Sequence, residues 1–586
     1  MAEHDGLPKL TIADVARYGF RILAPDRAFY VLAVIYGVGI SLLSLATPIS
    51  VQMLINTVAN TGLAAPLIVL SATLFGLLLF SGLLNALRIH LMEIFGRRFY
   101  ARMVSEISLR TLYAQNPFFM DQSKGPLFNR YFDIIIIQKN LPLLLTGGFT
   151  VLLQAGVGFV VVSLYHPLFL VFNVVLTALI WAVWLLWGPS AIRAAIGLSH
   201  SKHAAAGWLE GVGASNGHYK SNRLIRHALR ETDRVTGEYV DQHKIYFRRY
   251  FAQTVCFLVL YALASAVLLG LGGWLVIQGQ LTLGQLVAAE LILSVAFFGL
   301  TQLGIYLNYF YEVCGSLEEL SMFLIEPQEE PSGDYKPLSG PAKLVFDSVR
   351  GIARGRPAAL NFEIEGGARV MASSESHGVQ RLFTDLLKRH VEPAGGFATL
   401  AGVDIQAIDA LALRQEVTVL DRPTIVEGTI RQYLQLACPE SRPEAVMQAV
   451  RAVGLERALA ELDDGLDAEL ASTGWPLSLA ETMQLKLAGA ILGGPRVIVL
   501  NQLFDVLEDE VFQAVLDALP DDVTVVYFSN RSDPLCFRSF LHLGRARQTF
   551  YSNFEDFADA RRRDRSDGPQ RVIPGGAGTP LLASER

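Results

Sequence analysis

Cysteine is scarce in this chain. Cys256, Cys314, Cys438 and Cys536 are the only four in 586 residues, and no two stand in a CxxC spacing. That pattern argues against a disulfide frame or a cysteine zinc site, and no metal is expected. Charge is scarce too, at 18% of residues with a net charge of −6. Nothing in it points to a nucleic-acid partner. The N-terminus carries acids and lacks a basic-then-apolar pattern, so no cleaved signal peptide is expected. Nor does any Gly-Lys-Ser or Gly-Lys-Thr occur, so an ordinary phosphate loop is absent.

What the chain does have is apolar residues, 52% of the total, more than soluble domains usually carry. No charge occurs from Ala28 to Leu87, which is room for two crossings at about 20 residues each. A second charge-poor stretch runs from Asn140 to Ile192, broken at His166-Pro167. A third begins after Arg249 and ends near Tyr311, interrupted by Gln278-Gly279-Gln280 and by Glu290. These stretches predict three helical hairpins, hence six spans. The short links Val58–Pro66, Tyr165–Pro167 and Gln278–Thr282 carry no Lys or Arg, whereas Arg88–Lys139 and Arg193–Arg249 are rich in both. Basic residues favour the cytoplasmic side, which places the long links, the N-terminus and the C-terminal part there.

Glu290 falls about nine residues into the sixth span, roughly 13 Å deep at 1.5 Å per residue. An ionisable group at such depth is costly and a functional candidate. It could line a path, carry a proton, or face a water-filled cavity with no specific role.

The long links have a helical pattern, with Arg97, Arg98 and Arg102 set among Phe99, Met103 and Ile107. The spans should continue through them. Pro117-Phe118-Phe119 followed by Gly125-Pro126-Leu127, and the run from Gly279 to Val287 (GQLTLGQLV), resemble the exporter-type ABC transmembrane domain. The resemblance covers nearly the whole chain. It implies a location in the lipid bilayer of a bacterial inner membrane and action as a homodimer or as a heterodimer with another half-transporter. It also implies coupling helices near Phe132–Lys139 and Glu210–Lys220. The stretch from Ser41 to Pro48, with Gln52–Asn56 after it, is similar to the type I secretion branch. That would imply a peptide or protein substrate and a periplasmic adaptor. An ordinary first span with a tolerated proline fits equally.

The domains expected are an N-terminal cytoplasmic or interfacial helix at 1–27, a six-span region at 28–325, a linker at 326–342, an ATPase-like α/β domain at 343–555 and a disordered tail at 556–586. The linker is rich in Pro, Gly, Ser and acids. After it, strand-like runs at Lys343–Phe346, Arg369–Ala372, Val497–Leu500 and Val523–Phe528 alternate with helical ones, which implies a parallel sheet. The tail opens on Arg561-Arg562-Arg563 and becomes rich in Gly, Pro and Ser.

Against the ABC ATPase pattern, the phosphate loop becomes Ser373-Ser374-Glu375-Ser376-His377-Gly378-Val379-Gln380. A working loop wraps phosphates with backbone N–H groups, reaches them with lysine and holds Mg²⁺ with a hydroxyl. Here only Gly378 survives, Val379 stands for the lysine and Gln380 for the hydroxyl. The adenine-stacking aromatic, due near Ile352-Ala353, is missing. Asp421 stands for the Mg²⁺-sensing glutamine. The signature reads Leu477-Ser478-Leu479-Ala480-Glu481 and has lost its glycines. Asn501-Gln502 replace the Asp-Glu that ends the next strand, and Asn530 replaces the switch histidine. Glu375, Asp421 and Glu481 put acids where neutral partners belong. Sequence therefore predicts no catalytic residue and no bound cofactor, with ATP and Mg²⁺ binding absent or weak.

Two roles follow. The chain could be an ATP-independent dimeric transporter, scaffold or regulator. Alternatively, it could be the non-catalytic half of a heterodimeric ATP-driven exporter, although Leu479-Ala480-Glu481 would spoil the signature lent to a partner.

Overall fold

The structure is a computed structural model that describes residues 12–55, 64–115, 125–329 and 338–566. The chain divides into two compact units, Met1–Glu329 and Glu330–Arg586.

The first unit is helical, as a lipid-facing backbone must be when no water is there to satisfy its polar groups. Among the described residues six helices are long and apolar enough to cross a membrane: Ala13–Met53, Ala65–Leu112, Leu127–Ser163, Pro167–Ala214, Asn222–Ile277 and Leu283–Ile325. Local chemistry sets their ends. His166 caps the fourth, its Nδ1 accepting from the Leu168 N–H, and Pro167 occupies the first helical position, where its missing N–H costs nothing. Before the sixth, Gly279 takes φ +69°. Thr282 and Gln285 then form a capping box that satisfies two otherwise orphaned donors. The third span contains Pro142 and a π turn at Leu144–Gly148. A Cβ on Gly147 would come within 2.4 Å of the Tyr306 hydroxyl, so the two glycines there let the sixth span lie against the bulge.

The N-terminal helix Ile12–Leu23 is pinned to the second span. Asp26 is fully buried, pairs with Arg102 at 2.8 Å and Arg98 at 3.3 Å, and Arg102 also donates to the Ile22 carbonyl.

The expected coupling positions divide. Around Glu210–Lys220 the chain does turn, with a short 3₁₀ segment at Asn216–Tyr219 between two long helices. Phe132–Lys139 does not: it lies within the helix Phe132–Leu143, with Asp133, Ile134 and Ile137 buried. Apolar residues at helical spacing gave that stretch a core face. Pro117-Phe118-Phe119 lies outside the described residues.

The second unit is α/β. A six-stranded sheet has the order Gln548–Tyr551, Ser539–Leu543, Arg369–Ser374, Thr524–Phe528, Val497–Leu500, Val417–Leu420. All neighbours are parallel except the first pair. The expected parallel sheet is present. An antiparallel sheet beside it, led by the hairpin Leu344–Ala353 and Arg356–Ile364, was not anticipated. Its two-residue turn, Arg354-Gly355, has φ +47° and +75°, and this positive-φ pair matches the twist of the strands it joins.

The tail expected to be disordered from 556 is helical through Ser566. Phe557 is fully buried, with Phe540 at 5.5 Å and Phe554 at 6.1 Å between ring centroids. That burial offsets the entropy that the charged composition alone would leave uncompensated. Residues 567–586 lie outside the described residues. Phe557→Ala should cost about 3–5 kcal/mol in the stability of this unit. Pulse proteolysis in urea would register the loss, and an unchanged midpoint would show that the helix does not hold the fold.

Candidate functional site

The strands Arg369–Ser374, Val497–Leu500 and Thr524–Phe528 run parallel. Ligands bind beyond the carboxyl ends of such strands in open α/β sheets. A cleft of about 400 Å³ lies there. Ser373–His377 and Gln380 line it from the first strand's loop and helix, Gln502, Ser529 and Asn530 from the strands beside it, and Arg561 from the C-terminal helix. The fold thus gathers most residues of the altered phosphate loop, one from the altered Asp-Glu pair and the switch position. It does not bring Val379, Asn501, Asp421 or Leu477–Glu481 into the cleft lining.

Gln380 and Gln502 bond to each other in both directions. Gln502 Nε2 donates to Gln380 Oε1 at 3.0 Å, and Gln380 Nε2 donates to Gln502 Oε1 at 3.3 Å. Each amide therefore spends an oxygen and an N–H on the other. Magnesium sites take oxygen ligands, usually with carboxylates among them, and amide N–H groups offer a cation nothing.

Val379 is fully buried within the core that also holds Leu382, Phe383 and Val499. The position aligned with the phosphate-loop lysine is thus a packing position. Gly378 has a packing reason of its own. A Cβ there would lie 2.8 Å from Arg354 Cγ and 3.2 Å from the Arg354 nitrogen.

Asn501 turns away from the cleft. Its Oδ1 accepts from the Leu503 N–H, and its Nδ2 donates to the Asp421 carbonyl at 2.8 Å. Asp505, in the turn after Asn501-Gln502, organises the switch position. Its carboxylate accepts from the Tyr527 hydroxyl at 2.5 Å, from Ser529 Oγ at 2.8 Å and from the Asn530 N–H at 2.9 Å. Burial, then this carboxylate, raises the Tyr527 hydroxyl far above the ordinary phenol range. On the other side of the same turn Arg561 donates to the carbonyls of Ser529 and Arg531. The switch position is held from two elements.

Of the three acids expected to repel phosphate, two have a bonded partner and the third lies near two lysines. Glu375 pairs with the Arg545 guanidinium at 3.1 Å and accepts from the Arg545 N–H at 2.8 Å. Glu481 closes a capping box with Ser478, accepting from its N–H at 2.7 Å. Asp421 lies close enough to Lys388 and Lys486 to favour the charged form of both. Lys486 donates to the carbonyls of Arg422 and Thr424. Burial nonetheless lowers its pKa to about 8.

Glu290 sits in the sixth long helix of the first unit, next to buried Ala288, Ala289 and Ile292. Its Oε2 is buried without a hydrogen-bond partner among the described residues.

Six spanning-length helices followed by this α/β unit give the chain the fold of an ABC exporter. Residues 30–197 match the family model described as the ABC transporter transmembrane region. The chain is 24% identical over 527 residues to the ABC multidrug transporter mdr2 of Aspergillus fumigatus, covering 85% of this chain and 65% of that protein. It is 25% identical over 249 residues to the leukotoxin translocation ATP-binding protein LktB of Mannheimia glucosida, covering 41% of this chain and 35% of that one. The chain therefore spans less than two thirds of the length of these relatives. A bacterial Atm1-family ABC exporter with ATP bound has a similar fold, with a TM-score of 0.76, 18% identity and coverage of 92% of this chain and 96% of that one.

Two expectations follow from the geometry. Val379→Lys would bury an unpaired ammonium and should destabilise the second unit by about 3–5 kcal/mol. Hydrogen exchange in strand Arg369–Ser374 would read this, and undiminished protection would contradict it. For Lys486, folded and unfolded states both hold the proton below pH 8. From about 8 to the ordinary 10.5 the folded state loses it first, so the unfolded state binds more protons and stability rises with pH. Urea midpoints across that window should rise more steeply for the native protein than for Lys486→Met; equal slopes would exclude the effect.

Proposed function

We propose that this chain is an exporter-type membrane protein whose own nucleotide-binding domain does not hydrolyse ATP. It acts as an ATP-independent dimeric transporter, scaffold or regulator. The observation that carries this reading is the Gln380–Gln502 amide pair. It occupies the two positions at which the resemblance calls for a Mg²⁺ hydroxyl and a catalytic carboxylate. Phosphoryl transfer depends almost entirely on positioning and charge neutralisation. A single stabilising donor of that kind is worth on the order of 10²–10³-fold in rate. Replacing the lysine, the metal hydroxyl and both carboxylates together removes the means of turnover.

The argument rests less on repulsion than on missing ligands, because Glu375, Asp421 and Glu481 are each engaged locally. Membership of a dimer is part of the proposal, since a six-helix half of this fold encloses a path only with a second half. The mdr2 and LktB relatives are named for multidrug transport and leukotoxin translocation. The second name accords with the secretion-like first span, and a peptide or protein cargo is the substrate class we favour.

One observation favours the heterodimer reading. Next to the capped Ser478, Trp475 and Leu479 are exposed, by 71% and 48%. They form an apolar face beside the signature segment that a partner's ATPase domain would cover.

The purified chain should show no vanadate-sensitive ATP turnover and no micromolar Mg·ATP binding. Either activity would overturn the proposal. Co-purification with an ATP-hydrolysing half, and turnover by the pair alone, would select the heterodimer.

A further inference from the structure

At the charged ends of the long helices lies a cluster that the sequence reading did not anticipate. His200 Nε2, on the helix Pro167–Ala214, is 2.8 Å from Glu318 Oε2 and 3.8 Å from Glu319 Oε1, both on the helix Leu283–Ile325. The three ligand atoms lie within 4.8 Å of one another. Glu318 is 2% exposed and Glu319 fully buried. Two adjacent buried carboxylates are costly unless compensated. Arg130 donates to Glu319 Oε2, which compensates one charge. Among the described residues Glu319 Oε1 is buried with no hydrogen-bond partner, and it lies 3.8 Å from His200 Nε2.

We propose that His200, Glu318 and Glu319 form a binding site for a borderline divalent cation of the zinc type. One imidazole nitrogen and two carboxylate oxygens make a three-ligand set that such ions accept, with ligand distances near 2.0–2.2 Å. The His200 side chain is 46% exposed, which gives the ion an entry and a water its fourth position. Binding takes the unprotonated His200 Nε2, so any proton there is released to solvent. Arg130 holds the other oxygen of Glu319 and fixes its orientation, as partners behind metal ligands do.

The neighbouring groups define the limits of the site. One helical turn along, Asp133 is fully buried and accepts from Lys202, His203 and Ser316. That carboxylate is already saturated, so it does not compete for the ion. Arg130 and Lys202 are the cations near it. Arg130 is spent on Glu319 and Lys202 on Asp133. A bound ion would bridge the fourth and sixth spans and fix their relative register. The consequence is a metal-dependent clamp on the helix bundle, independent of any nucleotide.

The test uses the full-length protein in nanodiscs, stripped with a chelator and titrated with Co²⁺ and then Zn²⁺. One Co²⁺ per chain with a visible d–d band is expected, displaced by Zn²⁺. Zn²⁺ should also raise the thermal midpoint. His200→Gln should lower Co²⁺ affinity at least about tenfold and abolish the Zn²⁺ stabilisation. His203→Gln, in the adjacent network, should leave the d–d band in place. His200 is partly exposed, so its substitution tests binding without emptying the core, and Glu318→Gln supplies a second reading. Binding that is unchanged in His200→Gln, or lost in His203→Gln instead, would overturn the assignment.

Discussion

The reciprocal bond between Gln380 and Gln502 is the interaction around which the cleft of the second unit is arranged. It ties the helix after strand Arg369–Ser374 to the turn after Val497–Leu500, across the intervening strand Thr524–Phe528. An amide has nearly the shape of the carboxylate it replaces but carries an N–H in place of a charge. The strand ends can therefore keep their spacing with nothing bound between them. Asn501 makes the same exchange in a different way. It satisfies the Leu503 N–H and the Asp421 carbonyl, both backbone groups of the fold.

The same logic extends to the acids. Each of Glu375, Asp421 and Glu481 has been absorbed into local structure: a strand turn, a lysine pair and a helix cap. For Glu375 the Arg545 guanidinium is close by, and such a pair projects little field into a cleft, because opposite charges at short range cancel at longer range. Asp505 goes further and holds Tyr527, Ser529 and the Asn530 N–H together, so the turn at the switch position is braced. With Arg561 bonded to the same turn from the C-terminal helix, five hydrogen bonds fix a segment whose counterpart must respond to phosphate in an ATP-driven machine.

Much of this was legible in the residues and some was not, for physical reasons. The spans follow from the charge-free stretch Ala28–Leu87 and from the breaks at His166-Pro167 and Gln278-Gly279-Gln280, all local in sequence. The Ser478–Glu481 box was equally local and readable, but the ABC resemblance drew attention to the missing glycines instead. Glu375–Arg545 and Asp505–Tyr527 pair residues far apart in the chain, and no periodicity announces them. Phe557 shows how composition misleads: Arg561-Arg562-Arg563 looks like a solvated tail, yet the helix that carries it is anchored by one buried ring with three aromatic neighbours. Phe132–Lys139 is not the turn expected by position but helix, with a core face at Asp133, Ile134 and Ile137.

Several ion pairs of the membrane unit tie its elements together. Asp26 with Arg98 and Arg102, Asp133 with Lys202 and His203, and Glu319 with Arg130 each join elements distant in sequence. Such buried pairs contribute little net stability compared with apolar packing, but breaking one partner is severe. They therefore select one register among those that apolar helices, which slide readily in lipid, would otherwise sample. A bundle whose register is set by ion pairs at the helix ends can be switched there by anything that alters their charge. That leverage does not require nucleotide chemistry in the second unit, and it is available to a chain in which Gln380 and Gln502 have closed on one another.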